Sequence, residues 1–287
     1  MISVCTIVAG RQTHLANQAR GLAASRRLPE EWVIVGMNED AAGPAFVRSG
    51  CKVPVVTGRV DGRGRMPLAE ARSRAAELAS GSRLVFLDVD CIPHPDMIDA
   101  FARALDDEDR LWMGDVRYLP QGAAADDWTA ASLDAAAVPH PLLPDLGGRP
   151  LRSDRYELFW SLCFACTADT WRRIGGFDTG YRGYGGEDTD FAFSARAAGV
   201  GFGHWPARAY HQHHAVCRPP LNHLASIVEN ARRFRGKWGV WPMEAWLRQF
   251  AEAGFVEFDG PADVLSVRRL PSRAEVAACR VRTPAGF

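Results

Sequence analysis

The sequence predicts an α/β fold in which helices flank a mostly parallel central sheet. Over residues 1–117, short runs of consecutive apolar residues alternate with segments whose apolar residues recur at helical spacing. Continuous apolar runs are typical of strands that are covered on both faces, as in parallel sheets. The 287 residues are 47% hydrophobic and 24% charged, which is an ordinary composition for a globular protein.

The elements of this first region follow one another regularly. Five apolar runs predict strands, at residues 2–9, 32–37, 53–57, 83–87 and 111–117. Three segments with apolar residues on one face predict helices, at residues 13–26, 67–80 and 95–105. Pro67 supports the start of the second helix, because proline is favoured in first helical turns. Pro93 and Pro95 predict a turn before the third helix.

Residues 120–155 interrupt this alternation. They combine alanine-rich and acidic stretches with several prolines and glycines, which predicts a long surface excursion that is helical at 126–137. Loops of this length are usually functional or mobile, so the excursion is a candidate cover for a bound substrate.

Regular patterns resume after the excursion. Apolar runs predict three further strands, at residues 158–166, 202–205 and 264–269. Helical spacing predicts four further helices, at residues 169–174, 187–198, 221–236 and 241–253. A glycine-rich loop, residues 175–186, precedes the second of these helices.

Charge and cysteine content exclude several classes of protein. Basic and acidic residues number 34 each, so the chain has no overall positive charge that would favour binding of nucleic acid. Binding of a small molecule with a phosphate group needs only local positive charge. The seven irregularly spaced cysteines favour reduced thiols, and the single Cys163–Cys166 pair lies in an apolar run that favours buried cysteines over structural zinc. Without a recognisable signal peptide or transmembrane segment, we expect a cytoplasmic protein, with peripheral membrane association as an option.

The strongest chemical signal is the pair of carboxylates that ends the predicted strand at 83–87. Asp88 and Asp90 point to the same side of an extended chain, at the edge where open α/β sheets bind ligands. Two neighbouring anions repel each other unless positive charge lies between them, and a divalent cation bound to phosphate supplies that charge. The alternative interpretation is a strand-to-helix turn capped by aspartates.

A second acidic group follows the glycine-rich loop. Glu187, Asp188 and Asp190 lie in the first turn of a predicted helix, where acidic residues also serve to cap the helix. Three of them behind several glycines exceed what capping requires. A carboxylate here can accept the proton of an attacking hydroxyl. Tyr181 and Tyr184 offer flat faces to a sugar ring, or alternatively attach the loop to the core.

A histidine cluster at 211–214 follows the predicted strand at 202–205. Imidazole is a common ligand of manganese and zinc, so Asp90 and one of these histidines would form a mixed oxygen and nitrogen site. In an extended chain His211 and His213 share one face, and His214 takes the other. The alternative is a surface cluster that binds no metal.

These motifs together resemble the family-2-type glycosyltransferases of the GT-A fold. They are most similar to the branch that shares a C-terminal module with the β-1,4-galactosyltransferases and chondroitin-polymerase-type bacterial enzymes. Asp88-Val89-Asp90 resembles the DXD motif of the family. The sequence Gly176-Phe177-Asp178, followed by residues 183–190, is similar to its GGFD…GWGGED segment, with Tyr184 in place of the usual tryptophan. Tyr210-His211-Gln212 resembles the strand-end histidine of the metal site.

The resemblance covers residues 2–215 and implies a domain organisation. Residues 1–215 would form the GT-A catalytic domain, with 1–117 as the nucleotide-sugar-binding half and 156–215 as the acceptor and catalytic half. Residues 216–287 would form a helical extension packed on the same domain.

The resemblance also implies the donor-side roles. Asp90 and His211 would hold Mn²⁺ or Mg²⁺ against the diphosphate of a nucleotide-diphosphate sugar, a UDP-sugar, and Asp88 would face the ribose. The further nucleotide contacts implied by the family are Arg11, Asn38 or Asp40, and Arg72. The second strand ends in Asn38-Glu39-Asp40 where the family more often has an Asp-Asp-Ser type of ending.

On the acceptor side, the resemblance makes Asp188 the general base and gives Glu187 an orienting role. Tyr184, Gly185, Gly186 and Asp190 would contact the acceptor. A single base opposite the leaving group suits in-line displacement, so we expect inversion at the anomeric carbon. Two alternatives are a sugar nucleotidyltransferase and a non-catalytic nucleotide-sugar-binding protein of this fold. The first needs a phosphate-binding loop after the first strand, where only Gly10-Arg11 is present.

Overall fold

The computed structural model describes residues 1–41, 52–125 and 127–281, and it confirms the α/β fold. Ten strands form one sheet in the order β3-β2-β1-β4-β9-β6-β10-β5, with β7 paired to β6 and β8 to β10. These strands are β1 (Ile2–Val8), β2 (Glu31–Met37), β3 (Val55–Val60), β4 (Arg83–Leu87), β5 (Cys91–Pro93), β6 (Leu111–Tyr118), β7 (Val138–Pro139), β8 (Leu151–Ser153), β9 (Cys163–Thr167) and β10 (Phe202–His211).

Helices cover both faces of this sheet. The helices of the described residues are α1 (Gln12–Ala23), α2 (Leu68–Leu78), α3 (Met97–Asp107), α4 (Ala130–Ala136), α5 (Ala168–Ile174), α6 (Glu187–Ala197), α7 (Leu224–Trp238), α8 (Glu244–Glu252) and α9 (Arg273–Ala278). Helices α1 and α3 contribute to one buried apolar cluster, whereas α2, α5 and α6 contribute to a second. Strands buried on both faces explain why their sequences read as unbroken apolar runs.

The sheet changes direction at β9. Strands β1 to β4 pair in parallel, but β9 runs antiparallel to both of its neighbours, β4 and β6. Phe164 of β9 lies opposite Phe86 of β4, and their rings stack with centroids 4.5 Å apart. Such a pair contributes about 1 kcal/mol beyond the burial of its area, so it helps to hold the two halves of the sheet together.

Two predicted boundaries are wrong in a way that matters for the site. The segment predicted as a turn at Ile92-Pro93 is strand β5, which pairs antiparallel with the end of β10. Strand β10 extends to His211 instead of ending at residue 205, because a register shift between His204 and Arg208 accommodates Pro206 within the strand.

The helix in the excursion and the strand after it contain fewer residues than predicted. Residue 126 lies outside the described residues, and α4 begins at Ala130 behind a capping box of Thr129 and Ser132. The apolar run at 158–166 divides into a 3₁₀ turn, Tyr156–Leu158, and β9. The six described cysteines are free thiols, and Cys51 lies outside the described residues.

The C-terminal residues build a small core of their own from α7, α8 and the hairpin of β12 (Val256–Asp259) and β13 (Val264–Val267). Sequence analysis predicted β13 but not β12. Strands β11 (Val216–Cys217) and β14 (Arg280–Val281) pair antiparallel and return the end of the described chain to the start of this region. None of the helices in the described ranges is long and apolar enough to cross a membrane.

Candidate active site

The Asp88–Asp90 turn follows β4 at the carboxyl edge of the sheet. The Asp88 N–H donates to the Leu162 carbonyl (2.9 Å), and the Cys91 N–H donates to the Asp88 carbonyl (2.8 Å). The buried side-chain amide of Gln18, on α1, donates to the carbonyls of Asp88 (2.8 Å) and Cys91 (3.0 Å). Helix α1 therefore fixes the turn, through a residue that sequence analysis did not identify.

Strand β5 brings the histidine segment to this turn. His211 lies opposite Cys91 in the pairing of β10 with β5, and the Gln212 N–H donates to the Asp90 carbonyl (2.7 Å). As a result, Nε2 of His211 lies 3.7 Å and Nε2 of His214 lies 3.5 Å from Asp90 Oδ2. The chain leaves the strand after His211, so the alternation expected for an extended segment ends there and His214 joins His211.

Asp90, His211 and His214 form a cluster whose potential ligand atoms all lie within 4.8 Å of one another. Burial acts to raise the pKa of Asp90, but interactions with His211, His214 and the ion-paired Arg11 outweigh it and hold that pKa well below its usual range. Burial lowers the pKa of His211 to about 4, which leaves a neutral imidazole. An ionised carboxylate with two imidazoles is a donor set that divalent transition metals accept.

Arg72, on α2, connects the two acidic groups that the sequence places about 100 residues apart. Its Nη2 atom lies 3.0 Å from Asp88 Oδ2, and its Nη1 atom lies 3.5 Å from Glu187 Oε1. The side chain is only 4% exposed, and the Phe177 ring lies 5.4 Å from the guanidinium carbon. One buried cation therefore brings the end of β4 and the start of α6 into a single site.

The carboxyl groups around Arg72 keep their protons more readily than exposed ones. Burial and the charge of Asp90 raise the pKa of Asp88 to about 6, although Arg72 opposes the shift. Burial and the neighbouring Asp188 raise the pKa of Glu187 to about 7, and burial also raises the pKa of Asp188. These groups therefore change protonation state closer to neutral pH than exposed carboxyl groups do.

The glycine-rich loop delivers Glu187 and Asp188 to this position. Gly185 and Gly186 have φ angles of +98° and +88°, a conformation that glycine adopts at little cost. The Gly185 N–H donates to Glu187 Oε2 (3.1 Å), so both oxygens of Glu187 have partners. At Asp188, the N–H and hydroxyl of Thr189 donate to Oδ1, and Oδ2 has no hydrogen bond within the described part of the chain.

Tyr184 is part of this loop and precedes Glu187 by three residues. Its side chain is 39% exposed. Desolvation and the negative charges of Glu187, Asp188, Asp90 and Asp88 raise the pKa of its phenol, so the hydroxyl stays protonated.

Asp190 has a different environment from Glu187 and Asp188. It is 1% exposed, and its Oδ1 accepts hydrogen bonds from Tyr181 (3.1 Å) and Trp238 (2.7 Å). Its Oδ2 accepts from Lys237 (2.8 Å). Both oxygens are engaged, and the contacts attach the start of α6 to the end of α7.

Of the remaining nucleotide candidates, only Arg11 reaches the cluster, through its ion pair with Asp90. The Asn38 side chain accepts from the Gly62 N–H (2.7 Å) and donates to the Arg65 carbonyl (2.8 Å), which ties the end of β2 to the loop before α2. The side chain of Asp40 is 87% exposed and pairs with Arg59. The side-chain contacts of Asn38 and Asp40 thus involve Gly62, Arg65 and Arg59 and not the cluster around Asp90.

Comparisons with known proteins agree with this arrangement. A family model described as the N-terminal domain of galactosyltransferase matches residues 151–216, which include β9, the glycine-rich loop, α6 and β10. A search of the curated proteins found no match.

Several solved structures share the fold. GalNAc-T7, solved with UDP, GalNAc and Mn²⁺, superimposes with a TM-score of 0.54 at 19% identity, over 74% of this chain and 43% of that one. TarS residues 1–349 from S. aureus superimposes with a TM-score of 0.52 at 12% identity, over 82% of this chain and 65% of that one. TarS solved with UDP-GlcNAc gives the same TM-score and identity, over 82% of this chain and 66% of that one.

The chain thus spans less than two thirds of the length of these structural relatives, and the identities establish the fold alone. The family model thus identifies residues 151–216 as a galactosyltransferase-like segment, and the neighbours show that the chain shares its fold with GalNAc-T7 and TarS.

Proposed function

We propose that this chain transfers a sugar from a nucleotide-diphosphate sugar, a UDP-sugar, to a hydroxyl acceptor during synthesis of a glycan or glycoconjugate. The transfer depends on a divalent cation and inverts the anomeric carbon. The observation that carries the proposal is the convergence at Arg72, which joins the Asp88–Asp90 turn to the start of α6. A cation site and a candidate base therefore belong to one site.

The residues around Asp90 fit a divalent cation such as Mn²⁺. Asp90, His211 and His214 offer one oxygen and two nitrogens within 4.8 Å, and Nδ1 of His211 is buried without a hydrogen-bond partner among the described residues. A bound cation would neutralise negative charge on the departing nucleoside diphosphate, which is worth several kcal/mol in related chemistry. GalNAc-T7 was solved with Mn²⁺, which supports this assignment by analogy.

Arg11, Arg72 and Asp88 act on the donor in this proposal. Arg11 is about one-third exposed and pairs with Asp90, so its guanidinium can turn to a diphosphate oxygen. Arg72 pairs with the Asp88 carboxylate and orients it, and Asp88 then accepts a hydrogen bond from a ribose hydroxyl. Asn38 and Asp40, at the end of β2, stay candidates for contacts to the base.

Asp188 is the proposed general base. Its Oδ2 atom has no competing donor among the described residues, so it can accept the proton of the acceptor hydroxyl as that oxygen attacks the anomeric carbon. Both oxygens of Glu187 are engaged, so Glu187 positions the loop and Arg72. A single base opposite the leaving group suits in-line displacement, and hence inversion.

The acceptor lies against Tyr184, Gly185 and Gly186 in this proposal, and Asp190 attaches their helix to α7. Residues 1–215 act as the catalytic domain, with donor contacts from 1–117 and acceptor contacts from 156–215. Residues 216–287 are the extension packed on this domain.

One assay separates this function from its alternatives. Purified protein is incubated with Mn²⁺ and a panel of nucleotide sugars, and release of nucleoside diphosphate is measured with and without EDTA. We expect release from a UDP-sugar that EDTA abolishes. Pyrophosphate release from a nucleoside triphosphate and a sugar phosphate would indicate a nucleotidyltransferase instead. Metal-dependent binding without turnover of any donor would indicate a non-catalytic binding protein.

A further inference from the structure

Three aromatic rings connect the glycine-rich loop to the C-terminal extension. The Tyr184 ring stacks on the His223 ring with centroids 4.5 Å apart and an angle of 24° between their planes. The Trp246 ring, on α8, lies 6.2 Å from Tyr184 at 28°. We call Tyr184, His223 and Trp246 the aromatic platform. Two of its three rings lie outside the segment 151–216 that matches the galactosyltransferase family model.

The extension holds the platform in a fixed orientation. The buried Asn230 amide, on α7, donates to the carbonyls of Gly185 (2.9 Å) and Arg182 (3.2 Å), and its oxygen accepts from the Arg182 N–H (3.3 Å). Met243 approaches so closely that a Cβ atom on Gly185 would lie 2.9 Å from its sulfur. The ring of Tyr184 therefore depends on contacts with α7 and on the residue that precedes α8.

The platform is also partly open to solvent. Tyr184 is 39% exposed, and His223 and Trp246 are half-buried. Aromatic side chains usually bury most of their surface, so the exposed Tyr184 ring with two partly buried rings beside it is a surface that a ligand can cover. The apolar face of a pyranose matches such a surface.

The chain places the platform within reach of the proposed base. Tyr184 precedes Asp188 by four residues, and the chain bends between them at Gly185 and Gly186, which have positive φ angles. The charges of Glu187 and Asp188 contribute to the raised pKa of the Tyr184 phenol, in agreement with this spacing. A ring stacked on the platform would therefore present a hydroxyl group to Asp188.

We propose that the aromatic platform is the acceptor subsite and that it binds the apolar face of a pyranose ring. The acceptor is then a carbohydrate and not a serine or threonine side chain of a peptide. This proposal rests on the proposed function, and it assigns acceptor recognition to His223 and Trp246 of the extension.

Saturation-transfer NMR in the presence of UDP and Mn²⁺ tests the platform. The probes are the methyl β-glycosides of glucose, galactose and N-acetylglucosamine, together with a serine- and threonine-containing peptide. We expect at least one glycoside to bind and the peptide to give no signal. Trp246→Ala should weaken that glycoside about fivefold to tenfold, the loss expected for one aromatic stacking contact, and Trp246→Phe should restore most of it.

Trp241→Ala is the matched control. Trp241 is also half-buried in the extension, but it packs on Phe258 at 5.6 Å and not on the loop, so its loss should leave glycoside binding unchanged. Calorimetry of UDP with Mn²⁺ reports separately on the donor side. Failure of the unaltered protein to bind UDP would contradict the proposed function. If the protein binds UDP normally but binds the peptide and no glycoside, the platform proposal is overturned. Equal glycoside affinity in Trp246→Ala and the unaltered protein would also overturn it.

Discussion

Asp90, after the end of β4, and the Glu187–Asp188 pair, at the start of α6, are carboxyl groups whose surroundings shift the pKa in opposite directions. Asp90 lies among Arg11, His211 and His214, and its pKa is held low. Glu187 pairs with Arg72, and burial raises the pKa of both Glu187 and Asp188. The carboxylate of Asp90 therefore stays ionised, whereas those of Glu187 and Asp188 can accept a proton closer to neutral pH.

The site needs both an ionised carboxylate at Asp90 and a carboxylate that accepts a proton at Asp188. A metal ligand must be ionised at every working pH, whereas a general base works best when its pKa lies near the pH of the reaction. Arg72 contacts both regions, so a change at this residue affects them together.

Removal of the base should have the largest effect. Asp188→Asn keeps the size of the side chain and the hydrogen bond to Thr189 but cannot accept a proton. We expect kcat to fall by about 10³-fold, within the usual range for loss of a general base, while KM for the donor changes little. Steady-state kinetics with a UDP-sugar measures both. Retention of full transfer activity in Asp188→Asn would remove the base assignment.

Removal of the shared cation should destabilise the fold as well as the site. Arg72→Met leaves Asp88 and Glu187 without their buried partner, which costs about 3 kcal/mol of unfolding free energy when both are ionised. Their raised pKa values, about 6 and about 7, mean that both are largely ionised at pH 8 and largely protonated at pH 5. The loss should therefore be larger at pH 8 than at pH 5 in urea unfolding.

Arg74→Met is the matched control for that measurement. Arg74 is on the same helix, is about half exposed and pairs with Glu77 three residues further along. Exposed pairs contribute at most about 1 kcal/mol, so this variant should lose little stability at either pH. Equal losses in the two variants would contradict the bridging role of Arg72.

Loss of one imidazole should change the preference between metals. Imidazole ligands favour Mn²⁺ over Mg²⁺, which prefers oxygen ligands. We expect His214→Ala to lower the ratio of Mn²⁺-supported to Mg²⁺-supported activity by about tenfold, or 1.4 kcal/mol. His213→Ala serves as the control, because His213 is not part of the cluster. An unchanged ratio in His214→Ala would exclude His214 as a ligand.

The smallest expected effect is a shift in pH dependence. Activity that needs ionised Asp188 should rise with pH. Repulsion between Asp188 and Glu187 raises the pKa of Glu187, and because such coupling is mutual, an ionised Glu187 also opposes ionisation of Asp188. Glu187→Gln removes this charge, so the acid limb of the kcat/KM profile should move to lower pH by about one unit. Glu70→Gln, an exposed change on α2, should leave the profile in place. A shift to higher pH in Glu187→Gln would contradict the coupling.

The fold and the two acidic groups could be predicted from the sequence because their signals are local. Apolar runs mark β1, β2 and β4, and Asp88, Asp90 and Glu187 each lie beside the strand end or glycine-rich loop that positions them. The structure confirms these elements. It also shows that Asp88 and Glu187 meet, for which the sequence carried no direct signal.

The rest depends on contacts between distant segments. His214 joins the cluster because β5 pairs with β10, and both elements contain prolines that weaken a strand signal in the sequence. Asn230 was not identified because a polar residue on an amphipathic helix looks like a solvated position until the loop it binds is known. The contacts of α7 and α8 with the glycine-rich loop have no counterpart in any local sequence pattern.

Binding of UDP, measured by calorimetry with and without Mn²⁺, tests the division between the two regions most directly. Asp90→Asn should lose the Mn²⁺-dependent part of the affinity, whereas Asp188→Asn should bind UDP as the unaltered protein does despite its loss of turnover. Equal UDP affinities in Asp90→Asn and the unaltered protein, or loss of Mn²⁺-dependent binding in Asp188→Asn, would contradict the separation of a metal-binding region from a proton-accepting one.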